Sequence, residues 1–411
     1  MHDGRLVVSS ARMQKNVTLL LWASTLVFSG TLVHLMSQFI WQWPFPKMDA
    51  DTVLGCDFFN FWAYGQSAFS SDPGAFYNWP AYSQYQTALG VDHIGHNWSY
   101  PPNILLLTAP FGLLSYGTSL VVWTVSTIML FLAVLHKKLS IPSLIALVLF
   151  SPAALNTLIS GQSSLLTTTI ILGAWCLLDC RPILAGVLIG LLSFKPQVAL
   201  MFPVILIAMR RWPTFAAAAA TTLAIGAATT ILFGPNVWLQ YVQFGLPYQN
   251  AVLTDPDMLS APYMPTLLMS FREFGWSYSH AMAAQALFSL GAIAIVFWAF
   301  RFYAEANKNL LFLLFAACTV CASPYLLIYD LMPLTLAVVM SLARRDSRLP
   351  QLLLFGVFFL PTLNQTFGAL HIGGAALIIP VLITHLVLEL VKSKPRDNAS
   401  RPFDLLPVGA K

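Results

Sequence analysis

The sequence predicts an all-α polytopic membrane protein, with a bundle of about 12 transmembrane helices and two long outer loops. Two observations predict this class. Hydrophobic residues make up 57% of the 411 residues and charged residues only 9%, whereas about a quarter of a typical soluble domain is charged. Apolar runs of roughly 20 residues, the length that crosses a bilayer, also recur along the chain. This composition excludes a cytosolic enzyme, a nucleic-acid-binding protein and a disordered scaffold.

Twelve apolar runs are long enough, or nearly long enough, to be spans. They cover residues 17–41, 115–135, 141–159, 165–178, 182–194, 197–209, 214–233, 280–300, 309–322, 326–342, 351–367 and 372–391. The first run is too long for the core of a signal peptide and predicts an uncleaved anchor. The two runs that flank Lys195 have roughly 13 residues each, so a broken or re-entrant pair is an alternative there. Residues 103–114 form another short apolar stretch, which would enter the membrane partway or lie on its surface.

The distribution of Lys and Arg predicts the orientation of these spans. With the amino terminus inside and the twelve spans alternating, 18 of the 21 basic residues fall in inside loops or in a cytoplasmic tail at about residues 392–411. The exceptions are Lys47, Lys195 and Arg272. The two long loops, at about residues 42–102 and 234–279, are then outside. We interpret residues 1–411 as a single integral membrane domain.

The acidic residues favour the outer side. Nine of the 16 Asp and Glu residues lie in the predicted outer loops or at outer helix ends. Both long loops are too rich in aromatic residues for disordered linkers, and stretches 58–69 and 82–89 are predicted to be amphipathic helices on the membrane surface. A working face on the outside follows. No internal repeat is evident, which argues against a transporter built on inverted repeats.

Asp57 is the first candidate for chemistry, because it stands among aromatic residues soon after the first span. An aromatic, partly desolvated setting raises the pKa of a carboxylate toward the range of a general base. The alternative is structural. An Asp that precedes a periodic apolar run is a good helix N-cap, and the spacing alone does not separate the two roles.

Lys195 and Asp330 are candidates because both are charged residues in or near apolar runs. A charge at membrane depth costs a few kcal/mol unless it reaches the interface or is paired. A lipid phosphate is one partner for Lys195. Snorkelling to the outer headgroups and pairing with Asp330 are the structural alternatives, and the pairing is compatible with a functional role.

Two more polar groups lie at predicted outer positions. Gln162 follows Gly161 at an outer turn and offers an amide for a sugar hydroxyl, although a plain turn explains it equally well. Arg272, beside Glu273 in the second long loop, is another cation that could bind a phosphate.

The cysteines indicate no disulfide framework, since only Cys56 lies in a polar loop. Cys318 and Cys321 have the spacing of a redox or metal site. They are flanked by apolar residues, however, and we expect them to pack as small residues between helices.

Metal motifs are weak. Asp49-Ala50-Asp51 has the spacing that holds a divalent ion against a nucleotide sugar, but it lies on the predicted outside, where nucleotide sugars are absent. His93 and His96 could share a zinc ion on one helical turn, yet no third ligand is evident. We therefore expect no metal site and no cofactor.

At these residues the chain resembles glycosyltransferase family 87 of the GT-C superfamily. The matching pieces occur in family order over about residues 17–331: Asp57-Phe58, Asp72-Pro73 with Phe76-Tyr77, Tyr100-Pro101-Pro102, Gly161-Gln162, Ala185-Gly186, Gly190, Lys195-Pro196, Ser323-Pro324 and Tyr329-Asp330-Leu331. The chain departs from the common family pattern at Cys56 and at Tyr325-Leu326-Leu327, which affects the expected acceptor subsite more than the chemistry.

The resemblance implies a GT-C-like helical bundle that transfers a sugar from a polyprenyl-phosphate donor to a lipid or glycan acceptor. The reaction would take place on the outer face of the bacterial inner membrane, with a hexose, mannose first, as the sugar. Asp57 matches the catalytic acid of the family and would act as the general base of an inverting displacement. Lys195 and Arg272 would bind the donor phosphate. The substrate-binding residues would be Tyr100, Gln162, Tyr329 and Asp330.

Two other functional classes share part of this pattern. A flippase or transporter of lipid or polysaccharide has the same number of spans, and it is distinguished by the two long aromatic outer loops and the absence of a repeat. A non-catalytic membrane subunit is the third possibility.

Overall fold

The structure is a computed structural model that describes residues 11–39, 45–47, 53–91, 100–136, 142–255, 261–342 and 349–392. The regular secondary structure of this part of the chain is helical, with one isolated bridge between Lys47 and Val53. The predicted all-α class is therefore confirmed.

The α-helices of the described part follow one another with short breaks. They are α1 (Ala11–Gln38), α2 (Cys56–Ser67), α3 (Trp79–Ala88), α4 (Leu105–Gly112), α5 (Tyr116–Leu135), α6 (Pro142–Leu149), α7 (Pro152–Ser160), α8 (Ser164–Leu177), α9 (Pro182–Leu191), α10 (Pro196–Ala199), α11 (Met201–Ala208), α12 (Trp212–Phe233), α13 (Asn236–Gln240), α14 (Leu246–Thr254), α15 (Leu267–Glu273), α16 (Tyr278–Phe302), α17 (Lys308–Ala322), α18 (Met332–Leu342), α19 (Gln351–Phe358), α20 (Leu360–Ala369) and α21 (Ile378–Lys392). Short 3-10 helices lie at Ala75–Tyr77, Pro102–Ile104, Leu192–Phe194, Ala261–Tyr263, Ile328–Leu331 and Ala375–Leu377, and a π-helix at Tyr241–Gly245.

Helices occupy all twelve predicted runs, but their lengths differ widely. Within the described residues, five helices are long and apolar enough to cross a membrane by themselves: Val17–Gln38, Tyr116–Leu135, Trp212–Phe233, Tyr278–Phe302 and Ala375–Lys392. The pair α19 and α20 is bent by 65° and would add a sixth as one broken span. The remaining apolar helices are shorter, so an integral membrane protein is supported while the count of twelve stays a prediction.

Proline accounts for many of the short helices. Pro142, Pro152, Pro182 and Pro196 each stand at the first position of a helix, where the missing N–H costs no hydrogen bond. The residue before a proline is also kept out of the helical conformation. Lys195 shows this, with φ −137° and ψ 66° between the 3-10 helix at Leu192–Phe194 and α10.

An exposed cluster of charged residues around Asp179 lies at one end of the bundle. Its carboxylate accepts hydrogen bonds from Arg211 and from Lys308. These residues come from three loops that the basic-residue pattern predicts to be inside. The opposite end of the bundle contains Gln162, Lys195 and the residues that follow α17. All of these residues are predicted to lie outside. Helices α8, α9, α10 with α11, and α17 thus run between the two ends of the molecule.

Helix α2 lies inside the protein rather than on its surface. The predicted stretch 58–69 is helical, but Phe58, Phe59 and Phe61 have almost no exposed surface, because aromatic residues cover all of its faces. Gly65 on α2 lies against Gly112 on α4, where an added Cβ atom would strike the neighbouring backbone. The predicted helix is therefore present and is covered by other parts of the protein, while its position at the membrane surface stays a prediction.

Both outer segments contain helices and contact each other. The Asp72 carboxylate accepts two hydrogen bonds of 2.9 and 3.0 Å from Nε2 of Gln240, which belongs to α13. Residues 82–89, predicted to be helical, lie largely in α3. Buried aromatic residues of the first segment pack in one cluster with two aromatic residues of α5 and with Val237 of the second segment; the aromatic members include Phe45, Tyr64, Tyr77, Tyr82, Tyr116 and Trp123.

Candidate active site

The centre of the candidate site is a buried ion pair. Nζ of Lys195 lies 2.5 Å from Oδ1 of Asp330, and the two side chains are 2% and 1% exposed. The hydroxyl of Ser164 donates to the same carboxylate at 3.0 Å, and the backbone N–H of Leu327 donates to its other oxygen at 3.4 Å. A buried charge needs such partners. The pairing named as an alternative for Lys195 is therefore present.

The Gln162 amide connects this pair to the neighbouring polar groups. Its Oε1 accepts hydrogen bonds from the hydroxyl of Tyr100 at 2.7 Å and from the backbone N–H of Ser163 at 2.8 Å. The same oxygen lies 3.5 Å from Nζ of Lys195. Its Nε2 donates to the hydroxyl of Tyr329 at 3.0 Å. Because both ends of the amide are bonded, its orientation is fixed by the network.

Two tyrosine rings cover the ammonium of Lys195. It lies 5.0 Å from the ring centre of Tyr329 and 5.8 Å from that of Tyr100, within the range of cation–π attraction. Removal from water raises the pKa of Tyr100, and the charges of Asp330 and Asp57 raise it further. The Tyr100 hydroxyl therefore keeps its proton and remains a donor to Gln162.

Asp57 is within electrostatic range of the same two tyrosines. Its carboxylate is half-buried and acts electrostatically on the hydroxyls of both Tyr100 and Tyr329. It occupies the first turn of α2, where the helix dipole favours a negative charge. The N-cap of α2 is Gly55, with φ 76°. Asp57 is therefore not the cap residue, and the structural alternative for it is not supported.

The other predicted residues lie in the turns and breaks at the ends of helices. Gln162 lies in the turn between α7 and α8, Lys195 in the break before α10, and Asp330 in the 3-10 helix before α18. The predicted outer ends of separate helices thus meet, and six of the seven predicted site residues lie together: Asp57, Tyr100, Gln162, Lys195, Tyr329 and Asp330.

Arg272 is the residue that the structure does not bring into this cluster. It lies at the end of α15 and donates to the backbone oxygen of Trp276 at 3.3 Å. Its Nε is buried without a hydrogen-bond partner. No hydrogen bond or ion pair connects it to Lys195 or Asp330 within the described residues, so its role at the phosphate stays a prediction.

Sequence reasoning missed the hydroxyl and amide groups that complete the site. Ser163 and Ser164 are fully buried at the start of α8 and bond Gln162 and Asp330 respectively. The amide of Asn103 donates to the hydroxyl of Ser193 at 2.8 Å, next to Lys195. Paired serines directly after Gly161-Gln162, in an otherwise apolar run, were the available signal.

Cys318 and Cys321 form no hydrogen bond or ion pair with the residues of this cluster within the described part of the chain. Cys318 and Cys321 are buried in α17 and form no disulfide. Within the described residues, no three His, Cys, Asp or Glu side chains could hold a metal ion. The motifs at Asp49 to Asp51 and at His93 and His96 lie outside the described residues.

The chain matches a known protein family. The model of glycosyltransferase family 87 matches residues 98–329, more than half of the chain. No curated protein and no solved structure matches the chain. The matched range contains Tyr100, Gln162, Lys195 and Tyr329, while Asp57 precedes it. The apolar helices and the family activity make this protein a membrane glycosyltransferase, and the chain belongs to glycosyltransferase family 87.

Proposed function

We propose that the protein transfers a hexose, with mannose as the first candidate, from a polyprenyl-phosphate donor to a lipid or glycan acceptor. The reaction takes place on the outer face of the bacterial inner membrane and inverts the configuration at the anomeric carbon. One observation carries this proposal. A half-buried carboxylate, Asp57, lies in the first turn of the helix that packs against the turn at Gly161, and Gln162 in that turn lies 3.5 Å from the buried ammonium of Lys195. A base and a cation in one site suit a displacement at a sugar in which a phosphate is the leaving group.

Lys195 supplies the charge that the leaving phosphate needs. Asp330 neutralises this ammonium at 2.5 Å. When the bond to the sugar breaks, the phosphate oxygen gains negative charge, and a preorganised cation stabilises that charge. Asp330 itself is held by Ser164 and by the Leu327 backbone, so Lys195 can shift toward the phosphate without leaving this carboxylate unbonded.

The short helices support a site at membrane depth. Helices α8 and α17 have 14 and 15 residues, which gives each a length of about 21–23 Å. They run from the Asp179 end of the molecule toward the Lys195 end, whereas the hydrocarbon layer is about 30 Å thick. With the Asp179 cluster at the cytoplasmic boundary, Lys195 lies roughly 10 Å inside the outer boundary. A donor carried on a lipid reaches a site at this depth, whereas a nucleotide sugar does not require a site at membrane depth.

The chemical step is a single displacement. The acceptor hydroxyl attacks the anomeric carbon, and a new carbon–oxygen bond forms as the bond to the phosphate oxygen breaks. Asp57 takes the proton of the hydroxyl, and the electron pair of the broken bond stays on the polyprenyl phosphate. The products are the glycosylated acceptor, the lipid phosphate and a protonated Asp57. A phosphate leaves without a general acid, so Asp57 is the one carboxylate that the displacement needs, and Asp330 serves as the partner of Lys195.

The direct test uses purified protein in liposomes with polyprenyl-phosphate mannose labelled in the sugar, together with a membrane-lipid extract as the source of acceptor. We expect a labelled product to form. By mass spectrometry, this product should match a component that wild-type cells contain and that cells lacking this protein do not. The new linkage should have the configuration opposite to that of the donor. Turnover of a nucleotide sugar, with none of the lipid-linked sugar, would contradict the proposal.

A further inference from the structure

Helix α5 holds both loops of the candidate site through two aromatic side chains. The hydroxyl of Tyr116 donates to the backbone oxygens of Leu54 and Gly55, at 2.5 and 3.0 Å. Seven residues later, two helical turns along the same face, Nε1 of Trp123 donates to the backbone oxygen of Gly161 at 2.9 Å. The two aromatic side chains are 1% and 3% exposed.

The two loops also contact each other directly. The backbone N–H of Gly55 donates to the oxygen of Ile159 at 3.1 Å. Gly55 and Gly161 have φ angles of 76° and 69°, a conformation that side chains with a Cβ rarely adopt. A Cβ atom on Gly161 would come within 2.5 Å of the Cβ atom of Phe58. Both glycines are thus required where the start of α2 meets the turn before Gln162.

We propose that Tyr116 and Trp123 are positioning residues that fix the separation between Asp57 and the Gln162–Lys195–Asp330 group. Leu54 and Gly55 lead directly into α2, which carries Asp57 in its first turn. Gly161 leads directly into Gln162. One rigid helix therefore sets the position of the base and, separately, the position of the phosphate-binding group. The inference rests on the proposed function, because it assigns these two roles to the two loops.

The physical consequence is different for each residue. The rate of a displacement depends steeply on the placement of the reacting groups, and an error of about 1 Å costs roughly 100-fold. Loss of the Tyr116 hydroxyl frees the loop before Asp57 and leaves the groups around Lys195 untouched. Loss of the Trp123 indole N–H frees the turn before Gln162 and thereby disturbs donor binding.

The test compares Tyr116→Phe and Trp123→Phe with wild type, using labelled polyprenyl-phosphate mannose and lipid extract in liposomes. Tyr116→Phe should lower kcat by about 10- to 100-fold and leave the KM for the donor unchanged. Trp123→Phe should raise the donor KM. Tyr303→Phe is the control, because Tyr303 lies at the carboxyl end of α16, on the predicted inner side. This variant should match wild type. Wild-type kcat in Tyr116→Phe, or equal changes of kcat and KM in both variants, would overturn the inference.

Alkylation provides a readout that needs no turnover. Cys56 is adjacent to Asp57 and half-buried, whereas Cys180 is exposed far from the site. Mass spectrometry of N-ethylmaleimide-treated protein should show faster alkylation of Cys56 in Tyr116→Phe, with Cys180 unchanged. An unchanged rate at Cys56 would contradict the positioning role, whereas a wild-type protein that transfers no sugar would contradict the proposed function.

Discussion

The ammonium of Lys195 lies 2.5 Å from the carboxylate of Asp330, and both groups are almost completely buried. This pair explains why a lysine tolerates a position on the predicted outer side, away from nearly all other cations of the chain. The two opposite charges neutralise each other, which lowers the cost of burying them. Their mutual dependence makes the pair sensitive to the loss of one partner.

Removal of one charge should destabilise the protein. Lys195→Met leaves the Asp330 carboxylate buried without its cation, and we expect a loss of about 3–5 kcal/mol in the free energy of unfolding. Lys195→Met combined with Asp330→Leu should recover most of the folded yield, measured by size-exclusion chromatography in detergent. Lys308→Met, which removes an exposed lysine, is the matched control. A double variant no more stable than the single one would contradict the neutral-pair account.

Donor affinity should depend more on Lys195 than on Arg272. Titration of polyprenyl-phosphate mannose against the stable Lys195→Met, Asp330→Leu variant should show donor affinity at least about 10-fold weaker than wild type, since a charge-assisted hydrogen bond is worth about 1.5–3 kcal/mol. Arg272→Gln should weaken binding less, because Arg272 donates to the Trp276 backbone and forms no hydrogen bond or ion pair with the cluster among the described residues. A larger loss in Arg272→Gln would mean that the donor phosphate binds in the second outer segment.

The two ends of the bundle should react from opposite sides of the membrane. Cys180 is exposed beside the Asp179 cluster, and Thr87 is exposed on α3. In intact cells, a membrane-impermeant maleimide should label Thr87→Cys and leave Cys180 unlabelled until the membrane is opened. Labelling of both residues from the outside would contradict the predicted orientation.

The Asp179 cluster should add a small, pH-dependent stability. The hydrogen bond from Lys308 is the main cause that lowers the pKa of Asp179 below its usual value, and partial burial opposes it. Because the folded pKa is the lower one, the contribution is complete above about pH 5 and is lost as the pH falls below about 4.

The contribution should be at most about 1 kcal/mol, since the pair is exposed. Asp179→Asn should thus melt below wild type at pH 7.5, and the difference should shrink as the pH falls through the lowered pKa of Asp179. Glu305→Gln, at an exposed carboxylate near the same end, should differ from wild type by the same small amount at every pH. A difference between Asp179→Asn and wild type that does not shrink between pH 7.5 and pH 3.5 would exclude ionisation of Asp179 as its cause.

The sequence predicted the site better than the lengths of the helices. Charged residues in apolar runs are rare and costly, so Lys195 and Asp330 can be identified from the sequence. The alternation of the predicted spans then places both residues on the outer side. Helix length follows instead from breaks such as Lys195-Pro196, whose effect on span count depends on packing. The burial of α2 was not predicted, because its aromatic residues are spread over several faces and no single apolar stripe marks the side that packs.

Hydrogen-bond networks are the part that the sequence could not predict. Ser164, Tyr116 and Trp123 are ordinary residues in apolar helices, and their roles appear only when distant helix ends meet. Arg272 illustrates the converse. A cation in an outer segment was a reasonable phosphate ligand by charge, yet the fold gives it a backbone partner, Trp276.

The kcat of Asp57→Asn in the liposome transfer assay tests the central claim most directly. The substitution keeps the size of the side chain and removes its basicity, while Lys195, Asp330 and Gln162 stay intact. General-base catalysis contributes about 10²- to 10⁴-fold, so kcat should fall by that factor and the KM for polyprenyl-phosphate mannose should stay within about threefold of wild type. A variant that folds, binds the donor and turns over at the wild-type rate would contradict the assignment of Asp57 as the base.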